Sequence, residues 1–235
     1  MSHASLPNDL NSFYTRFEKD NTIQLDEFRT TLQPSSCALT FNTEDVVSVL
    51  RRTKETSSPG PDNISSRVLR YCAEQLGEVF QILFQRSFDS CTVPQMWKHS
   101  TVIPIPKKST TKVLNDFRPV ALTSLVMKAM ERIVKRHIIR ETNPLIDPLQ
   151  FAYRTSRGVD DAKNIHPGHC TQTLGNAKIF SQTPFCGFSS AFNTLQPHIL
   201  ANKLASRFHL EDQLILWLLD FLTHRSQSAV QQHFL

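Results

Sequence analysis

The sequence predicts a helix-rich α+β fold. Three observations carry this expectation. Two long segments, Ser66–Ser87 and Ser124–Arg140, repeat apolar residues at three- and four-residue steps, the period of a helix with one buried face. Glu211–Thr223 is apolar almost throughout. One short β-branched run, Thr101–Ile105, carries the strand signal. With 235 residues, 40% of them hydrophobic, the chain can bury a core and is not a wholly disordered polymer. Its 6 glycines are too few for a collagen-like or low-complexity chain.

Taken in order, residues 1–40 are polar, acidic and weakly periodic, a loose leader with one short helix around Leu10–Phe17. Thr43 reads as the N-cap of a helix over Glu44–Arg52, with Val46, Val47 and Leu50 on one face. Thr53–Asp62 is a loop, broken hard by Pro59-Gly60-Pro61. Ser65 or Ser66 caps the next helix, whose apolar positions are Leu69, Cys72, Leu76, Val79, Phe80, Leu83 and Phe84. Pro104 and Pro106 make Thr101–Ile105 an edge strand or an extended arm. Lys107–Asn115 is a polar loop. Ser124 starts a helix lined by Leu125, Ala129, Met130, Ile133, Val134, His137 and Ile138. Lys128, Arg132, Lys135, Arg136 and Arg140 occupy much of its other side. Asn143–Gln150 is a loop, Pro197–Phe208 a helix with proline in its first turn, and Glu211–Thr223 a last apolar helix.

Charge is uneven. Residues 1–50 hold 3 Lys/Arg against 7 Asp/Glu, whereas residues 98–140 hold 10 against 2. The basic stretch is either a footprint for a polyanion or a solvated helix face. The 5 cysteines are odd in number and none forms a C-x-x-C pair. No charged start precedes an apolar stretch, and the apolar run Leu214–Leu219 is too short to span a bilayer. The expectation is an intracellular chain, cytoplasmic or nuclear, with reduced thiols and no membrane partner.

Several short segments matter by their order. They are Ser58–Ile64 (SPGPDNI), Trp97, Val102–Lys108 (VIPIPKK), Asn115–Thr123 (NDFRPVALT), Gln150–Ala162 (QFAYRTSRGVDDA) and Phe188–Asn193 (FSSAFN). This succession resembles the reverse transcriptase of non-LTR, LINE-like retrotransposons, from about Ser57 to Val230. The resemblance implies the fingers and part of the palm of a right-hand polymerase fold. It divides the chain into an acidic leader (1–56), a fingers-like region (57–163), a scrambled segment (164–187) and a partial palm (188–235) that stops before the family's YxDD motif. It places Lys107 and Arg118 at the incoming triphosphate, on the VIPIPKK arm and the FRP turn, with Lys108 a solvated neighbour. A guanidinium fork matches phosphate oxygens; the alternative for Arg118 is a brace for its loop. It makes Gln150, Phe151, Arg154 and Arg157 template contacts, with core packing the alternative for Phe151 and Tyr153. Lys128, Lys135 and Arg136 fall on the helix suited to backbone contact with RNA or DNA.

The sequence departs from that family at its chemistry. An intact member is expected to use Mg²⁺ held by carboxylates. Gly187 stands where the first metal-binding Asp belongs, and glycine offers no ligand. Phe192 still matches the aromatic residue that screens the sugar 2′-OH. Asn164–Gly187 fits neither helix nor strand and is expected to be a disordered loop. Codons can be chosen for these residues that, read one base out of frame, encode an amphipathic helix, a turn and an apolar strand ending in Asp; the genetic code permits this reading without forcing it. A pair of compensating indels accounts for this. The apolar helix Glu211–Thr223 would then lose its strand partners, leaving Leu214, Leu218 and Phe221 partly exposed. His166, His169, Cys170 and Cys186 match no closed zinc pattern, and Ser189 and Ser190 have no His/Asp partners in sequence. Three readings follow: an active RNA-directed DNA polymerase; a residual module binding RNA or DNA weakly and without sequence preference; and a decayed reading frame, catalytically inactive and without a cofactor or metal site, that has no selected role and need not fold stably.

Overall fold

A computed structural model describes residues 6–16, 22–34, 39–110, 113–158, 160–162 and 195–229. Segment 164–187, Gly187, Phe192, the two serines and the four His and Cys residues just named lie outside them. Among the described residues the helices are α1 (Leu6–Thr15), α2 (Thr22–Thr31), α3 (Thr43–Arg51), α4 (Ser66–Tyr71), α5 (Ala73–Asp89), α6 (Gln95–Lys98), α7 (Leu125–Thr142), α8 (Pro197–Ser206) and α9 (Asp212–Leu222). The strands are β1 (His99–Pro106), β2 (Phe117–Thr123) and β3 (Ser226–Ala229). The result is helix-rich α+β with a small mixed sheet. The chain divides into two compact units, Met1–Glu141 with Ala191–Leu235, and Thr142–Ser190.

In the first unit the sheet order is β2-β1-β3. β1 is therefore central and not an edge strand. It pairs antiparallel with β2 from Ser100↔Thr123 to Pro106↔Phe117, and parallel with β3 from His99↔Ser226 to Val102↔Ala229. Pro104 is accommodated because it faces Pro119. Neither residue has an N–H, so this pair takes a ladder position that exchanges no hydrogen bonds. The Phe117-Arg118-Pro119 segment is the start of β2 and not a turn. It lies opposite Ile105 and Pro106, and that pairing holds it extended.

Asn42, not Thr43, caps α3: its Oδ1 accepts the Asp45 N–H at 2.7 Å. Thr43 is already the first helical residue. The long helix expected after Ser65 is two helices, broken at Cys72, where φ is −99 and ψ is 21. Ser65 caps α4, while Ser66 turns inward and donates to the Glu55 carbonyl at 2.7 Å. The buried face is also displaced. α5 buries Ala73, Gly77, Phe80, Phe84 and Phe88, whereas Val79 and Leu83 are exposed. Gly77 decides this: a Cβ there would come within 2.5 Å of Val47 Cγ2, so α3 can lie this close only across a glycine.

The core joins α3, α5, α7 and α9. Phe84 meets Phe41 and Trp97 edge-on, each at 5.9 Å, and Trp217 stacks on Phe221 at 5.6 Å. α7 begins as its sequence predicts, with Ser124 Oγ accepting the Met127 N–H at 3.2 Å. Its predicted apolar face is buried, Ile138 partly so. α9 is not left bare. Leu214, Ile215, Trp217 and Leu219 are enclosed, while Leu218 and Phe221 are half-buried. Neighbours from α5 and α8 cover it. Its polar groups are satisfied within that packing: Trp217 Nε1 donates to Ser87 Oγ at 3.2 Å, and Gln213 Nε2 to the Phe88 carbonyl at 2.7 Å.

The acidic leader carries α1 and α2, more helix than its weak periodicity predicts. Leu10 and Leu25 are buried. Gln227 donates to Asn11 Oδ1 at 3.2 Å, and the Gln33 N–H to Asp212 Oδ2 at 2.9 Å. Polar contacts of this kind leave no apolar period to read. In the second unit Asn143–Leu145 forms one 3₁₀ turn, followed by tight turns in which Tyr153 and Ser156 take φ of 61° and 59°.

Candidate nucleic-acid interface

α7 is an amphipathic helix whose buried side fixes where its cations point. Lys128, Arg132 and Lys135 recur at i, i+4 and i+7 and so share one stripe, with axial steps of about 6 and about 4.5 Å. Lys128 and Lys135 have no hydrogen bond or ion pair among the described residues. Arg132 Nη1 lies 3.4 Å from the Val49 carbonyl. The other cations are engaged within the chain. Arg136 Nη1 pairs with Asp45 Oδ1 at 2.6 Å. Arg140 pairs with Glu141 and donates to His137 Nδ1, both at 3.0 Å. Arginine only donates, so Nδ1 is the acceptor.

Beside the stripe lies Glu131. Burial pushes its carboxyl above the usual range, against the pull of Arg225, Lys128 and Arg132. Burial likewise lowers the Arg225 guanidinium, which sits 4.8 Å over the Phe221 ring and donates to the Phe221 carbonyl at 2.9 Å.

The residues matched to the triphosphate fall on one hairpin of the same unit. Lys107 follows β1 and Arg118 lies in β2, where its register partner is Ile105. Lys107 Nζ donates to the Asn115 carbonyl at 2.7 Å, and its own N–H to the Asp116 carbonyl at 2.8 Å. These contacts close the loop. Lys108 is exposed but not merely solvated, since its Nζ pairs with Asp116 at 2.8 Å. Arg118 is exposed, and none of its five donors has a hydrogen bond or ion pair among the described residues.

The template-matching residues lie in the second unit. Arg157 sits 5.4 Å over the Phe151 ring and donates to the Pro148 carbonyl at 2.6 Å. Arg154 donates to the Asp147 carbonyl at 3.3 Å and to Asn143 Oδ1 at 2.9 Å. Gln150 Nε2 reaches the Ala152 carbonyl at 3.4 Å. Tyr153 is 85% exposed, which rules out core packing for it.

Two features went unread in the sequence. Lys98, only 4% exposed, pairs with Asp220 at 2.7 Å, and the same carboxylate oxygen accepts the Val93 N–H at 2.7 Å. Asp45 reaches Arg136 across 91 residues. Charge counted in windows shows neither.

The described residues hold no cluster of three or more His, Cys, Asp or Glu able to bind a metal. Between Asp161 and Glu211 the sequence has no carboxylate at all. That stretch of sequence therefore supplies no carboxylate ligand of the kind Mg²⁺ takes. No helix among the described residues is long and apolar enough to cross a membrane.

The chain is similar to the retrovirus-related Pol polyprotein from type-1 retrotransposable element R1 of Bradysia coprophila, 24% identical over 147 residues. The match covers 61% of this chain and 14% of that protein, so the chain spans a small part of its relative. No protein-family model matches.

Proposed function

We propose that the chain is the fingers and partial palm of a non-LTR retrotransposon reverse transcriptase, a remnant that does not polymerise. Its retained property is weak, sequence-tolerant binding of RNA or DNA along α7. The observation that carries the binding is the stripe of Lys128, Arg132 and Lys135 on a helix anchored by a buried face. Lys135, exposed, and Lys128, half-buried, make no hydrogen bond or ion pair among the described residues, and on a fixed support they suit phosphate contact without base readout. The loss of chemistry rests on Gly187, on the empty stretch of carboxylates around it, and on the count a two-metal site needs. Compensating indels near Lys163–Asn164 and Gly187–Phe188 explain the scrambled segment; genomic DNA whose shifted frame holds no Asp there refutes them.

Primer extension on an RNA template with Mg²⁺ or Mn²⁺ tests the first part. Neither the parent nor Gly187→Asp is expected to extend a primer, because one carboxylate cannot hold two ions. Extension by either one above a heat-killed control overturns the assignment. Binding to unrelated oligonucleotides at low salt tests the second part, and its absence leaves α7 a solvated face.

A further inference from the structure

We propose that Asp45 is a fixed charge mask on α7, withholding Arg136 from a polyanion and thereby setting the affinity of the basic face. This rests on the binding reading above. Asp45 Oδ1 lies 2.6 Å from Arg136 Nη1, with the two side chains 35% and 55% exposed, so the pair stands at the surface where a phosphate would approach. The carboxylate is held in place from its other side: Asp45 Oδ2 accepts Asn42 Nδ2 at 3.0 Å, and the Asp45 N–H is capped by Asn42. The support is rigid. α3 buries Val46, Val47, Val49 and Leu50, so Asp45 cannot swing away with its helix when a ligand arrives. A phosphate seeking Arg136 must compete with a preplaced carboxylate and is repelled by it. Arg136 thus contributes little to counterion release, although a charge count scores it with Lys128 and Lys135.

The test is fluorescence anisotropy of the full chain with two unrelated single-stranded RNA oligonucleotides across a salt series. Asp45→Asn keeps the side chain's shape and its bonding to Asn42. It is expected to bind both RNAs several-fold more tightly at low salt, and to steepen the log–log salt slope by about 0.7, one added phosphate contact. Arg136→Gln alone is expected to weaken binding less than Lys128→Gln or Lys135→Gln. In the Arg136→Gln background, Asp45→Asn should gain no more than Glu44→Gln gains in the parent. Glu44→Gln, an equal charge change on the same helix, should give a smaller gain than Asp45→Asn. Equal binding by Asp45→Asn and parent overturns the mask alone. So does a gain that survives Arg136→Gln undiminished, or one that Glu44→Gln matches. Failure of parent and variants alike to bind at low salt overturns the binding reading, and the mask with it.

Discussion

α7 and the segment Gln150–Arg157 carry the same chemistry, arginine and lysine near apolar side chains, and use it differently. On α7 the backbone donors and acceptors bond one another within the helix, and the buried side sets the direction of the rest. Its cations need not bond to hold the helix: Lys128 and Lys135 make no hydrogen bond or ion pair among the described residues. The turns of Gln150–Arg157 lack a ladder, so side chains must close them. Arg154 and Arg157 spend their donors on Asp147, Asn143 and Pro148. The guanidinium of Arg157 also lies 5.4 Å over the Phe151 ring, on one of the two faces where a base could stack. A helix with a buried face needs none of its cations to close its backbone, so packing decides whether each is paired, as Asp45 pairs with Arg136, whereas a cation in an irregular loop is often consumed in making the loop.

The largest expected effect attacks the support of the first region. Asp220→Ala leaves Lys98 charged, buried and alone, and should cost about 3–5 kcal/mol in chemical denaturation. Replacing both partners with apolar residues should recover most of it. Arg154→Ala, in the turns, should cost less than about 1 kcal/mol, because its bonds are exposed. Equal losses at the two places would erase the distinction between them.

The next effect concerns the cations themselves. Lys128→Gln and Lys135→Gln should each flatten the salt slope of single-strand binding by about 0.7, equally for unrelated sequences. Arg154→Gln with Arg157→Gln should change the slope less than that pair does. A larger change would mean that the turns open to release their arginines on binding.

The smallest effect sharpens the electrostatics beside the stripe. The Glu131 carboxyl is raised in the folded protein, so the folded state favours its protonated form. Its stabilising contribution is complete below the ordinary glutamate range and is lost as pH rises through the raised value. Parent stability relative to Glu131→Gln should therefore fall across that window and then level off. A difference that grows in the parent's favour with pH would show that Arg225, Lys128 and Arg132 outweigh burial.

The order of residues alone places the helices that carry a repeating apolar face. α7, α8 and α9 lie close to where periodicity and the Ser124 and Pro197 signals put them, because each signal is complete within about one helix length. It also determined that Gly187 offers no ligand, since that is a property of the residue. The tertiary structure decided which face of α5 is buried, because the close approach at Gly77 depends on Val47 of another helix. It decided that β1 is central, because β3 arrives from the far end of the chain. It decided, too, how basic the basic stretch is. Asp45, Glu141 and Asp220 lie outside residues 98–140, yet each pairs with a cation inside them. Periodicity is local and survives in a window of sequence. Charge acts through space, and the partners that offset it are chosen by packing.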